Sequence, residues 1–179
     1  MRVETFVSDL AAARIGATHN FYREGERAEL RCERLAAYLE ERRDARLLLV
    51  GEAAGYRGAR VSGLPFTSER QLSGEPPAEA SATIVHRVLA ELDLADDVLL
   101  WNVVPTHPYR AGQPASNRAP TRVETEAGMR FVRELARGRT VVAIGRVAQR
   151  ALGGPYVRHP SHGGAARFRD GLADYASSW

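Results

Sequence analysis

The sequence predicts an α/β fold, a three-layer α/β/α arrangement around a central four-stranded, mostly parallel sheet. Three observations predict it. Four stretches are nearly continuous in apolar, β-favouring residues, as strands buried on both faces of a parallel sheet must be. Helix-period apolar stripes lie between them. Two irregular segments, 51–78 (rich in Gly, Pro and Ser) and 103–120 (with Pro105, Pro108, Pro114 and Pro120), each begin where a strand ends.

Taken in order, residues 25–43 place Ala28, Cys32, Leu35, Ala36 and Leu39 on one helical stripe, and Leu47 to Val50 form the first strand. Residues 79–92 repeat the helical pattern with Ile84, Val85, Val88, Leu89 and Leu92, before the second strand, Val98 to Trp101. Thr121 followed by Glu124 reads as a capping box, opening a helix that buries Ala127, Phe131, Val132 and Leu135. The third strand is Val141 to Ile144, followed by a helix over 146–152, the short stretch Tyr156-Val157 and a last helix over 165–176. Strand alternating with helix is the signature of a layered α/β fold. Ligands of such sheets bind outside the carboxyl ends of the strands, so function is expected after Val50, Trp101, Ile144 and Val157.

The length of 179 residues predicts one domain spanning 1–179. No apolar run approaches the ~20 residues that cross a bilayer. The start, Met1-Arg2-Val3-Glu4, has no signal-peptide pattern, so a cytoplasmic protein with no membrane partner is expected. A lone cysteine, Cys32, excludes an intramolecular disulfide and any cluster held by four cysteines of this chain. The net charge is +3, and all 25 basic residues are arginine. Arginine forks match phosphate and stack on bases. Biased genome composition would produce the same count, so composition permits nucleic-acid binding without showing it.

The segments at the strand ends carry the candidate chemistry. The first, Gly51-Glu52-Ala53-Ala54-Gly55-Tyr56-Arg57-Gly58, is followed by Gly63-Leu64-Pro65-Phe66. Its glycines let backbone approach a ligand, yet it fits neither the dinucleotide fingerprint nor the P-loop, and a structural turn reads equally well. Asn102 directly follows Leu99-Leu100-Trp101. It is either a turn residue or a two-faced amide able to match a pyrimidine edge. His159-Pro160-Ser161-His162-Gly163-Gly164 combines a rigid and a flexible turn; His159 and His162 lie three apart, but no third metal ligand is evident, and no metal is expected.

The order of these segments is more telling than any one of them. GEAAG, GLPF, LLWNVVP, SNRAPT with its capping Glu, VVAIGRVAQRAL and HPSHGG span 47 to about 164, roughly two-thirds of the chain. The series resembles the uracil-DNA glycosylase superfamily, with closest likeness to the group often called family 4. That group's motifs read GE-(A/G)-PG, then NVV…NR-TPT…E, then HPS.

The resemblance implies a base-excision repair hydrolase that flips uracil out of DNA and cleaves its glycosidic bond. Phe66 matches the aromatic that stacks on the flipped base, Asn102 the reader of the pyrimidine edge, and His159 the donor to uracil O2. Gly51 and Glu52, with Ala53 and Gly55, match the motif that lines the pocket. Some relatives place a water-positioning aspartate where Ala53 stands, which makes Glu52 the nearest carboxylate for that task. Contacts to DNA are expected from Arg57, Asn117, Arg118, Arg146, Ser161, His162 and Arg167.

Three departures stand out, and a fourth position, Gly55, bears on substrate breadth. The family's iron–sulfur cluster needs four cysteines and this chain has one, so no cofactor is expected, and Cys32 reads as a small core residue. Ala54 replaces the motif's proline, a change expected to loosen that loop. HPSHGG lacks the large wedge residue that commonly follows HPS, and Arg167 is the nearest long side chain. Gly55 stands where some relatives carry a tyrosine that blocks thymine's methyl. The expected partner is uracil-containing DNA, single-stranded or duplex, acted on by a monomer. The rival readings are a glycosylase for other deaminated or mismatched bases and a non-catalytic binder of uracil-containing or abasic DNA.

Overall fold

The computed structural model describes residues 1–176, and its elements follow the apolar periodicities. The chain runs α1 (Val3–Ala12), β1 (Thr18–His19), α2 (Ala28–Glu41), β2 (Leu47–Ala53), α3 (Ala59–Ser62), α4 (Glu69–Ser73) and α5 (Ala80–Glu91). It continues through β3 (Val98–Val104), β4 (His107–Pro108), α6 (Arg122–Leu135), β5 (Thr140–Ile144), α7 (Arg146–Leu152), β6 (Tyr156–Val157) and α8 (Ala165–Ala176).

The main sheet has four strands in the order β3-β2-β5-β6, and every pairing is parallel. Side chains alternate across it. Leu48, Val50, Leu99, Trp101 and Ala143 share one core with residues of α1, α2, α6 and α7. Leu47, Leu49, Leu100, Val142 and Ile144 share a second core with α5 and α8. These are the two outer layers of a three-layer fold. Among the described residues no helix is long and apolar enough to cross a membrane.

Several boundaries differ from the sequence expectation. The first two strands run past Val50 and Trp101, because the parallel ladder continues through Gly51↔Asn102 to Ala53↔Val104. Gly51, Glu52 and Ala53 therefore lie within a strand, and Asn102 is neither a turn nor a cap residue. The N-terminal helix α1 was not anticipated, although Val3, Phe6, Val7 and Leu10, all buried, have helical spacing. The segment 51–78 is not wholly irregular: it holds α3 and α4, the latter opened by a Ser68–Gln71 capping box. The predicted box at Thr121 and Glu124 forms, with both reciprocal bonds present.

The topology puts a crevice between β2 and β3. The chain leaves β2 for α5 on one face and leaves β3 for α6 on the other, the arrangement that opens a cleft at the strands' carboxyl ends.

Candidate active site

A pocket of about 430 Å³ opens in that crevice, walled by Glu52, Gly55, Phe66, Asn102 and His159. Its floor follows from the register. Gly51 and Asn102 face each other across β2 and β3. A Cβ on Gly51 would overlap the Phe66 ring, at 2.7 Å from Cε2, and would stand 3.0 Å from Asn102 Oδ1. Glycine is needed here for close approach rather than for a turn.

Asn102 is buried. Among the described residues nothing hydrogen-bonds its side-chain amide, whose carbonyl and NH₂ are left for a ligand. Phe66 has φ 50, a left-handed conformation that non-glycine residues seldom adopt. The loop that enforces it is tied from several sides: Ser62 Oγ donates to Thr67 O (2.6 Å) and accepts from Leu64 N–H (3.0 Å), and Tyr22 OH donates to Gly63 O (2.7 Å). Strain held by surrounding bonds is characteristic of functional sites.

His159 packs on Gly145, where a Cβ would come within 3.1 Å of its own Cβ. The Ser161 backbone N–H donates to His159 Nδ1 at 3.2 Å, and Ser161 Oγ lies 2.7 Å from the same nitrogen. Nδ1 is thus the acceptor, which puts the proton of the neutral ring on Nε2. Burial, helped by the charges of Arg158 and His162, pushes the His159 pKa down and keeps the ring neutral. The turn that carries it bends at His162 (φ 52) and Gly163 (φ 72). His162 Nδ1 also meets Ser161 Oγ, at 3.0 Å, so the two histidines share a hydroxyl rather than a metal position.

Glu52 is half-buried, and burial pushes its carboxyl above the usual range, opposed by Arg150. It borders this pocket and two further cavities, one of about 490 Å³ with Arg146, Arg158, His159 and Arg167 on its walls. Arg146, Arg167 and His162 are exposed, as is Arg57 on the first loop. Asn117 Oδ1 accepts from Tyr56 N–H (2.9 Å), joining the SNRAPT segment to that loop.

Arg118, expected at DNA, is engaged within the protein. Its guanidinium grips Glu124 through two bonds, of 2.7 and 2.6 Å, and also reaches Tyr109 O (2.9 Å). Glu124 in turn accepts from Thr121 N–H (2.8 Å) and Ala17 N–H (3.2 Å), so the pair braces the wall that carries Asn117 and Ala119.

Ala54 does not loosen its loop, contrary to expectation. Its N–H donates to Val104 O (3.1 Å), a bond that a proline would forgo, and its carbonyl accepts from His107 Nδ1 (2.9 Å). His107 is buried, which pushes its pKa down and leaves it neutral. Sequence reasoning missed His107, whose signal was only a polar residue in a proline-rich segment. It also missed Glu79, a second carboxylate on the pocket wall. Cys32 donates to Tyr22 O (3.2 Å) and packs against the core. Being the chain's one cysteine, it cannot supply the four thiolates of an iron–sulfur cluster.

Residues 39–177 match the family model of the uracil DNA glycosylase superfamily. Among solved structures, the chain is similar to wild-type Pedobacter heparinus SMUG2, with a TM-score of 0.69 and 14% identity over 99% of this chain and 98% of that one. No curated protein matches the sequence.

Proposed function

The chain belongs to the uracil-DNA glycosylase superfamily, and from that premise we propose that it removes uracil from DNA, hydrolysing the N-glycosidic bond and leaving an abasic site. The observation that carries this reading is the convergence of three groups on one pocket: the ring of Phe66, the unengaged amide of Asn102 and the neutral His159.

A base within a duplex is out of reach, so the nucleotide must first be flipped out, at a cost of a few kcal/mol. Phe66 supplies a face on which the flipped base stacks, worth about 1–3 kcal/mol. Asn102 pairs its C=O with the base N3–H and its NH₂ with O4. As the bond from C1′ to N1 breaks, the electron pair goes to the base and negative charge grows at O2. His159 Nε2–H donates there, in the manner of an oxyanion hole. Water attacks C1′ and passes its proton to the Glu52 carboxylate, which hands it on to solvent; we assign Glu52 this role, or stabilisation of the cationic sugar, as the first motif's carboxylate on the pocket wall. Uracil is a better leaving group than an alkoxide, so the paired carboxylates of O-glycosidases are not required.

Arg57, on the cavity beside Gly55, and Arg146 and Arg167, on the cavity that shares Glu52 and His159, are candidate DNA contacts, as are Ser161 and His162 on the His159 turn and Asn117 at the loop junction. Arg118 acts through its brace on Glu124. The test is incubation with an oligonucleotide carrying one uracil, followed by alkaline cleavage at abasic sites. Strand scission dependent on uracil and on enzyme is expected. Tight binding without abasic sites would replace the reading with that of a non-catalytic binder, and cleavage only at other deaminated bases would change the substrate.

A further inference from the structure

Glu79 is the N-cap of α5, and its backbone carbonyl accepts from the N–H (3.1 Å) and hydroxyl (3.2 Å) of Thr83. Its side chain turns away from the helix onto the first loop. A Cβ on Gly55 would stand 2.8 Å from Glu79 Oε2, and one on Gly58 would overlap the same oxygen. Neither glycine has positive φ; at Gly55 the space taken by the carboxylate calls for glycine, and at Gly58 (φ -103, ψ -112) an uncommon backbone conformation does so as well. Ser81 Oγ donates to Oε1 at 2.7 Å and fixes the group. In this arginine-rich chain no cation pairs with Glu79 among the described residues.

We infer that Glu79 is a specificity determinant, presenting its carboxylate to the C5 edge of the bound pyrimidine; this rests on the reading of the pocket as a uracil site. His159 at O2 and Asn102 at N3 and O4 orient the ring, and C5 lies across it from C2. The cavity beside His159 does not include Glu79, and the one beside Glu79, lined also by Gly55, Tyr56 and Asn117, does not include His159. The two residues share the wall of the base pocket. With O2 at His159, the proposed pose turns C5 toward the Glu79 side of that pocket.

A hydrogen at C5 leaves the unpaired carboxylate its water. A methyl displaces that water and returns no donor, which disfavours thymine by the cost of stripping an unpaired charge. A cationic C5 substituent gains a partner instead. Charge thus performs at Gly55 the discrimination that steric bulk would perform with a larger side chain.

The test uses oligonucleotides bearing a single non-hydrolysable 2′-fluoroarabino pyrimidine, with hydrogen, methyl or aminomethyl at C5, alongside excision of the hydrolysable counterparts. Wild type should bind the hydrogen form over the methyl form by at least about tenfold, the scale set by one misplaced group in a pocket. Glu79→Ala should narrow that ratio about tenfold. The isosteric Glu79→Gln should abolish any preference for aminomethyl over methyl. Gly58→Ala, which pushes the carboxylate aside, should narrow the methyl ratio as well. Uracil excision by wild type with ratios unmoved in all three variants overturns this inference alone. Failure of wild type to excise uracil or bind its analogue overturns the uracil reading and this inference with it.

Discussion

Replacing His159 with alanine isolates the leaving-group contribution. The substitution keeps the Cβ that rests on Gly145 and removes the ring with its Nε2–H, so one donor is lost without an obvious penalty to the fold. Deleting a single oxyanion-hole donor costs about 2–4 kcal/mol in transition-state stabilisation, or about 30- to 1000-fold in rate. The assay is single-turnover cleavage of an end-labelled uracil oligonucleotide, with affinity for undamaged DNA and thermal stability measured in parallel. The rate should fall by that factor while the other two stay near wild type. Ser161→Ala removes one partner of Nδ1 but leaves the backbone N–H at 3.2 Å, so the tautomer persists and the loss should be under about tenfold. Because the His159 pKa is pushed below the ordinary histidine value, any loss of rate from protonating the ring should appear at lower pH than a free histidine would give. A wild-type rate in His159→Ala would refute the assignment, and an equal loss of DNA affinity and rate would refute the separation of binding from chemistry.

Three further outcomes are expected. Asn102→Asp should shift preference toward cytosine, whose amino group the new acceptor can engage, and Phe66→Ala should weaken capture of the base by about 1–3 kcal/mol; unchanged excision in both variants would place the pocket elsewhere. Glu52→Gln should slow the chemical step and remove an acidic limb in the pH–rate profile lying above the usual carboxylate range, since burial pushes that pKa up; a limb that survives the substitution would make Glu52 a brace of its loop. Arg118 and Arg34, the leading causes, hold Glu124 and Glu69 down to about 2, so the stability they contribute is present above the unfolded carboxylate range and lost as pH falls toward 2. That contribution is roughly 3 kcal/mol for each buried carboxylate, and urea titrations from pH 6 to pH 2.5 should show the decline, reduced in Glu124→Gln.

Much of this molecule was legible in the order of its residues. The strands β2, β3, β5 and β6 and the helices α2, α5, α6, α7 and α8 follow from apolar patterning, because burial on one stripe or on both sheet faces is a local pattern, whereas the short pair β1 and β4 carries no such signal. The capping box at Thr121 and Glu124 is a four-residue signal, and the ordered motifs singled out Phe66, Asn102 and His159. The helix α1 was equally periodic and was overlooked.

Other features depend on chain segments meeting in space. Strand length past Val50 and Trp101 is decided by the β2–β3 ladder, which continues wherever each backbone finds a partner, polar side chain or not. That register sets Gly51 against Asn102 and leaves room for the Phe66 ring. The His159 tautomer depends on a turn that aims the Ser161 N–H at Nδ1. In the sequence, Arg118 looks like a free cation, but its fork is closed on a carboxylate that is buried only once α6 docks on β3. Glu79 reads only as the first residue of the helical stretch 79–92, more than twenty residues from Gly55. Only packing of α5 under the first loop brings its charge to the pocket. Periodicity encodes which face of an element is buried; it carries no record of which distant residue will lie against that face, and the pocket is made of such meetings.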